Sequence, residues 1–234
     1  MSASTDIEKV PSGIKGLDNL LSGGFPKGAL ILVAGGPGAG KTALSTQFLY
    51  NGAVKYGEKG VYAPFSESRT TFNRYAAALG FNLEALEKES KIAVIDRLTT
   101  SIKEGIEPNL KRIVSKVAET GAQRLVIDSI ATMTIGVEEA AEVRTIIYLL
   151  RQSLREVGCT TLLITETPHG QRRLGMGREE FIADGIVVLE QFLKGDELKR
   201  QLYILKMRGV GHSMKAVRFT VGKGGITVLP PIEK

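Results

Sequence analysis

The sequence predicts an α/β fold: a mostly parallel central sheet flanked by helices, with a C-terminal antiparallel strand extension. Three observations predict it. Short apolar runs alternate with helical patterns through the first two thirds of the chain. A glycine-rich loop joins the first strong apolar run to the first long helix. After Ile182 no helical pattern is obvious, and strand-like runs separated by turn residues follow one another.

Taken in order, Leu30–Ala34 is an apolar run bounded by glycines and reads as a buried strand. Lys41–Tyr56 has helical spacing, with Leu44, Phe48, Leu49 and Val54 apolar. Gly60–Phe65 reads as a second strand, and Thr70–Leu79 as a helix with Tyr75, Ala78 and Leu79 on one side. Ile92–Ile95 is a strand, Leu110–Glu119 a helix, Leu125–Ile127 a strand. Glu139–Val157 is a long amphipathic helix with no internal Pro, and Thr161–Thr165 is the strand after it. The strand-like runs Gly185–Leu193, Gln201–Lys206, Lys215–Val221 and Ile226–Leu229 then predict a meander or hairpins on the edge of the parallel sheet. No internal repeat or low-complexity tract interrupts the chain, so residues 1–234 are expected to form one domain.

Composition sets the class. With 234 residues, 43% hydrophobic and 24% charged, the chain can bury a full core without disulfides or metal staples. Its one cysteine, Cys159, adjoins the apolar run Thr160–Ile164 and is expected to pack as a small hydrophobe. No apolar stretch nears the ~20 residues that span a bilayer, and Met1–Lys9 lacks the apolar core of a secretion signal. A cytoplasmic protein without a membrane partner is the expectation. The net charge of +6 favours polyanions such as nucleotides or nucleic acid, although the charges are scattered; the densest clusters are Gln171-Arg172-Arg173 and Lys194–Arg200.

The strongest motif is Gly35-Gly36-Pro37-Gly38-Ala39-Gly40-Lys41-Thr42, which matches G-x-x-x-x-G-K-[ST] between a predicted strand and a predicted helix. Glycines let the backbone bend until several N–H groups point at one anion, and the helix that follows offers its positive end. A nucleoside triphosphate with Mg2+ is therefore expected here, held by Gly36, Pro37, Gly38, Ala39, Gly40, Lys41, Thr42 and Ala43. Lys41 would reach the β- and γ-phosphates, and the Thr42 hydroxyl would ligate the metal. Leu125-Val126-Ile127-Asp128 supplies the acidic residue that ends an apolar strand, and Asp128 is expected to hold Mg2+, through a water. Ser129 would orient a water or start a turn. Hydrolysis needs a base at the end of a strand beside the phosphate-loop strand; Glu67, just after Val61–Phe65, is the expected base, with a helix-end charge as its alternative role and Glu166 as its rival. Thr165 or Glu166 is expected to sense the γ-phosphate.

These residues resemble the KaiC-like branch of the RecA-superfamily P-loop ATPases, found widely as single-domain proteins in archaea. The resemblance opens with Val10-Pro11-Ser12-Gly13-Ile14-Lys15-Gly16-Leu17-Asp18, continues through Gly23-Gly24-Phe25-Pro26-Lys27-Gly28 into the phosphate loop, and returns at Phe181–Leu189 and Leu205-Lys206-Met207-Arg208-Gly209. It implies a RecA-like fold, ATP as the nucleotide, and homo-oligomeric rings, commonly hexamers, with ATP at subunit interfaces. It further implies that Lys206 and Arg208 contact the γ-phosphate of a neighbouring subunit and that His212 lies near the nucleotide. Cations so aimed stabilise transition-state charge, as arginine fingers do. Two departures stand out. The family often carries paired glutamates after the second strand, whereas this chain has Phe65-Ser66-Glu67, which bears on its hydrolysis rate. Clock KaiC has two tandem domains and phosphorylated residues in the second; this chain has no matching part, so a clock kinase is not expected.

Three functions compete at this level. The first is a Mg-dependent ATP-hydrolysing regulatory or signalling ring. The second is a DNA-binding recombinase paralogue, for which Thr167–Glu180 supplies His169, Arg172, Arg173 and Arg178 but no interleaved aromatic for base stacking. The third is an ATP-binding oligomerisation module with little turnover.

Overall fold

The computed structural model describes residues 7–96, 98, 106–135, 137, 139–167 and 179–230. The chain opens with β1 (Lys9–Val10), α1 (Leu17–Leu20) and β2 (Phe25–Pro26), then β3 (Leu30–Gly35) and α2 (Lys41–Lys55). Next come β4 (Gly60–Pro64), α3 (Arg69–Ala78), α4 (Leu83–Lys88), β5 (Ile92–Val94), α5 (Glu107–Thr120) and β6 (Arg124–Asp128). They are followed by α6 (Ile130–Met133), α7 (Ala140–Glu156), β7 (Thr160–Glu166) and α8 (Glu179–Ile182). The last strands are β8 (Gly185–Lys194), β9 (Glu197–Met207), β10 (Val217–Gly222) and β11 (Gly225–Val228).

Nine strands form one sheet in the order β11-β10-β9-β8-β3-β7-β6-β4-β5. The six from β8 to β5 are parallel, and β9, β10 and β11 add to the β8 side as antiparallel neighbours. The expected extension is therefore present, built from strand-forming runs too short of helical period to do anything else.

Parity along each strand sorts the core. Ile31 and Val33 of β3, Tyr62 of β4, Val126 of β6 and Leu162 and Ile164 of β7 face α2, α3 and α4, where they meet Phe48, Phe72 and Leu86. Leu30, Leu32, Val61, Leu125 and Leu163 face the other way, toward Ile113 and Val117 of α5 and Ile147, Leu150 and Leu154 of α7. Burial on both faces is why these strands read as continuous apolar runs.

The N-terminal segment is fastened, not draped. Arg124, fully buried, donates to Pro11 O and Phe48 O at 2.8 Å each and to Glu58 at 2.5 Å, and its guanidinium lies 4.5 Å from the centre of the Phe48 ring. One side chain thus joins residues 11, 48, 58 and 124. At Gly24, with φ of +143°, an added Cβ would strike the Val10 backbone, so only glycine lets the strand pair β1–β2 close.

Predicted and observed element limits agree to within a residue or a few. The helix α4 had no counterpart in the sequence expectations, because six residues are too few to show a period. One expectation needs correcting. The strand before Glu67, β4, pairs with β5 and β6, whereas the neighbours of β3 are β7 and β8. Two later strands, β6 and β7, fold back between β3 and β4, so chain order does not give spatial order here.

Candidate active site

The C-terminal ends of β3, β6, β7 and β4 meet at one edge of the sheet, the place where open α/β sheets take ligands. The loop after β3 turns through Gly38 and Gly40, at φ of +71° and +108°. Gly40 precedes α2 with no side-chain cap, so the first N–H groups of this helix are left for an external acceptor. The outer side of Gly40 packs at van der Waals distance from Phe219, Val221 and Ile226 of β10 and β11, so it is the positive φ rather than space that asks for glycine there. The Gly38 carbonyl accepts from Gln191 Nε2 at 2.9 Å and from Arg200 Nε at 3.2 Å, which tethers the loop to β8 and β9.

Lys41 folds back along the loop and donates to Gly35 O at 2.7 Å and Gly36 O at 3.0 Å. Burial lowers its pKa, against the opposing pull of Glu166 and Asp128. The Thr42 hydroxyl points at Asp128 Oδ2 across 3.5 Å, too far for a strong hydrogen bond. Asp128 is held from its other side by the Tyr62 hydroxyl, which donates to the same oxygen at 3.1 Å. Burial raises the Asp128 pKa, while the Tyr62 hydrogen bond and the Lys41 charge act in the opposite sense. A hydroxyl and a carboxylate side by side, short of negative-charge compensation, form the oxygen donor set that Mg2+ uses in phosphate sites. The residues present therefore fit a metal-bound nucleotide: Thr42 and Asp128 for the cation, the loop N–H groups and Lys41 for the phosphates.

Glu67 follows β4 by three residues, and Phe65 N donates to Asp128 O at 2.8 Å, which brings its segment against the end of β6. Its pKa is raised by burial first and by the Asp128 charge second. Its Oε2 is buried without a hydrogen-bond partner among the described residues, as is Thr167 Oγ1. Such an atom is costly unless a further donor serves it. The helix-cap role expected as the alternative belongs to Ser68 instead, which accepts from Thr71 N at 3.2 Å.

At β7 the structure separates two expected sensors. Glu166 has the parity of Leu162 and Ile164, the face of α2, and its charge bears on Lys41 and Asp128. Thr165 lies on the opposite face, fully buried, donating to Glu179 Oε1 at 3.0 Å. Ser129 caps α6 and accepts from Thr132 N at 3.4 Å, so of its two expected roles the turn is the one seen.

Lys206, Arg208 and His212 lie elsewhere. Strand register puts Met207 opposite Gly185 and Gly185 opposite Ile31, at the other end of β3 from the phosphate loop. From Ile31 to Gly35 is about 13 Å of strand. Lys206 donates to Glu180 O at 3.0 Å and Ala183 O at 2.7 Å, and Arg208 to Phe181 O at 3.0 Å. These cations cap the carbonyl end of α8 within the chain. His212 touches Ser213 O at 3.2 Å in the segment beyond β9. His169, Arg172, Arg173 and Arg178 lie outside the described residues.

Sequence reasoning missed three groups: Tyr62, the Gln191–Arg200 pair on Gly38, and the Arg151–Asp184 pair. Tyr62 was the most legible of them, as a lone hydroxyl in an apolar strand. Cys159 is buried as expected, and burial pushes its thiol up to about 12. No helix among the described residues is long and apolar enough to cross a membrane.

Comparison with known proteins agrees with this architecture. Residues 10–233 match the family described as "ATPase: KaiC". A UPF0273 protein of Thermotoga maritima is 35% identical over 96% of this chain and 97% of its own. The circadian clock oscillator protein KaiC of Parasynechococcus marenigrum is 32% identical over 98% of this chain, which spans only 46% of that protein. The crystal structure of KaiC-like protein PH0186 from Pyrococcus horikoshii superimposes with a TM-score of 0.87 at 42% identity, covering 96% of this chain and 100% of that one.

Proposed function

The chain belongs to the KaiC family of ATPases, and from that premise we propose that it hydrolyses Mg-ATP between copies of itself in a closed ring. Residues 1–234 act as one ATPase domain, the ring is hexameric by family resemblance, and its output is regulatory or signalling. The observation that carries this reading is the convergence of Lys41, Thr42, Asp128 and Glu67 at one sheet edge.

In this reading the N–H groups of residues 36–43 cradle the phosphates. Lys41 leaves the Gly35 and Gly36 carbonyls for the β- and γ-phosphates. Thr42 and Asp128 would hold Mg2+, which when bound would supply positive charge to the phosphate oxygens. Glu67 takes a proton from water as the water oxygen bonds to the γ-phosphorus and the bond to the β-phosphate bridge breaks. A raised Glu67 pKa suits a base, since it holds the accepted proton more readily. The chain's own Lys206 and Arg208 sit at the far end of the sheet, so they serve a neighbour's site, near which His212 would also lie. That division is what makes the ring part of the chemistry.

The test is phosphate release by purified protein with Mg-ATP, alone and with single- or double-stranded DNA across salt, each sample sized by light scattering. DNA-independent hydrolysis by a ring, lost in Lys206→Ala and Arg208→Ala, is the expected result. DNA-stimulated hydrolysis would replace this reading with the recombinase paralogue. Bound ATP without turnover would leave only the oligomerisation module.

A further inference from the structure

We infer that Tyr62 is a positioning residue for the metal site: its buried hydroxyl fixes the Asp128 carboxylate in the orientation that meets Mg2+. This rests on the Mg-ATP reading above and adds to it a residue that the phosphate-loop motif does not contain.

The argument begins with register. On the neighbouring strands β4 and β6, Tyr62 lies opposite Val126 and Pro64 lies opposite Asp128. Tyr62 and Asp128 therefore share a face but are offset diagonally by two residues, a separation that only a long side chain bridges. A serine or threonine at residue 62 would stop short. The tyrosine reaches, and its hydroxyl meets Asp128 Oδ2 at 3.1 Å.

The ring is fixed before the hydroxyl is used. Tyr62 is 1% exposed and stacks on Phe72 of α3, with centroids 3.6 Å apart and planes 8° from parallel. The hydroxyl consequently has one direction available to it. The Thr42 hydroxyl stands 3.5 Å from the same oxygen, too far to share in the anchoring, which leaves Tyr62 as the close donor to Oδ2 among the described residues. Asp128 Oδ1 accepts no hydrogen bond among the described residues and is the oxygen left for the cation or its water. A hydroxyl anchored in the core on one lobe of a carboxylate holds the other lobe in place, the usual task of groups that support a metal ligand. The same stack carries a second consequence. Phe72 belongs to the helix that starts two residues after Glu67, so one ring supports the segments bearing both the metal-holding acid and the expected base.

Tyr62→Phe removes the hydroxyl and keeps the ring, its volume and the stack, so the fold is retained, which circular dichroism verifies. Binding of a fluorescent ATP analogue is titrated with Mg2+, and separately in EDTA, for wild type and variant; Mn2+ binding is followed by electron paramagnetic resonance. The expected result is a rise of about tenfold in the Mg2+ needed for half-maximal binding, weaker Mn2+ binding, and an unchanged affinity in EDTA. An unchanged Mg2+ requirement would overturn this inference alone. Equal weakening with and without metal would overturn it too, since the hydroxyl would then serve the fold rather than the cation. A wild type that binds the analogue with no dependence on Mg2+ would overturn the Mg-ATP reading and this inference together.

Discussion

The two ends of the parallel sheet carry opposite charge arrangements. At the end holding the phosphate loop, Lys41 stands among Asp128, Glu166 and Glu67, and Arg200 reaches the Gly38 carbonyl. At the other end Asp184 and Glu180 stand among Arg151, Arg155, Lys206 and Arg208. Neither arrangement is self-sufficient among the described residues. The first has more carboxylates than cations, and the second more cations than carboxylates. The ends differ in firmness as well. Asp184 accepts two hydrogen bonds from Arg151, at 2.5 and 2.9 Å, and one from Leu30 N at 3.1 Å. Among the described residues, the phosphate-loop end keeps Glu67 Oε2 and Thr167 Oγ1 without hydrogen-bond partners. The comparison teaches that one end is built to be stable and to present cations, and the other to be completed.

The sharpest way to break that contrast is to separate the ends onto different molecules. Arg208→Ala is expected to cut ATP turnover by about 10³-fold or more, with ATP affinity kept within a few-fold. Lys41→Ala is expected to be inactive in turn. Mixing the two inactive proteins should restore part of the activity, because some interfaces then pair an intact loop with an intact Arg208. No recovery in mixed rings of verified size would place both groups in one chain's site.

Glu67→Gln tests the phosphate-loop end from within. Turnover should fall about 10²- to 10³-fold while Mg-ATP still binds. The wild-type pH profile adds a sign. A base must be deprotonated, and the Glu67 pKa is raised, so kcat should decline on the acid side at a pH above that of an ordinary glutamate, about 4.3. The variant should lose that limb.

The opposite end answers to stability rather than rate. Arg151 and Asp184 are 18% and 12% exposed, so Arg151→Met strips two charged hydrogen bonds from a largely buried carboxylate and should cost about 2 kcal/mol by chemical denaturation, the Leu30 N–H and the Arg208 charge remaining. Burial alone would raise the Asp184 pKa, but the Arg151 and Leu30 hydrogen bonds and the Arg151 and Arg155 charges hold it below the ordinary value. A depressed acid stabilises the folded state above its unfolded pKa of about 3.9 and loses that contribution as pH falls through the lower folded value. The variant's deficit should accordingly shrink in that acid window. The smallest effect concerns Cys159 at the same end. With its thiol pushed up to about 12, it should stay unmodified by a thiol reagent at pH 8 until the protein unfolds.

How much of this was legible depends on whether the signal was local. The strand–loop–helix unit around Gly35–Thr42 is contiguous, and so is Leu125–Asp128; both read directly from the chain. Glu67 was chosen on the idea that its strand lies beside β3, and the strand order corrects that idea: Glu67 reaches the site from beside β6, by way of Asp128. Tyr62, Gln191, Arg200 and the Arg151–Asp184 pair depend on register between strands or on a helix meeting a strand, and no local spacing encodes either. Thr165 and Glu166 could have been separated beforehand, since alternation along β7 puts them on opposite faces.

At the outer edge of the sheet, Gln47 of α2 donates to Ile226 O at 3.2 Å and accepts from Ile226 N at 2.7 Å, and Val228 N donates to Lys15 O at 3.1 Å. A side-chain amide here imitates the next strand. β11 is an edge strand whose outward groups at Ile226 and outward N–H at Val228 are already occupied, so it is a poor template for another chain's backbone. A copy docked beside β11 would therefore meet it through side chains rather than by extending the sheet at this edge, and backbone pairing is left to the opposite edge strand, β5.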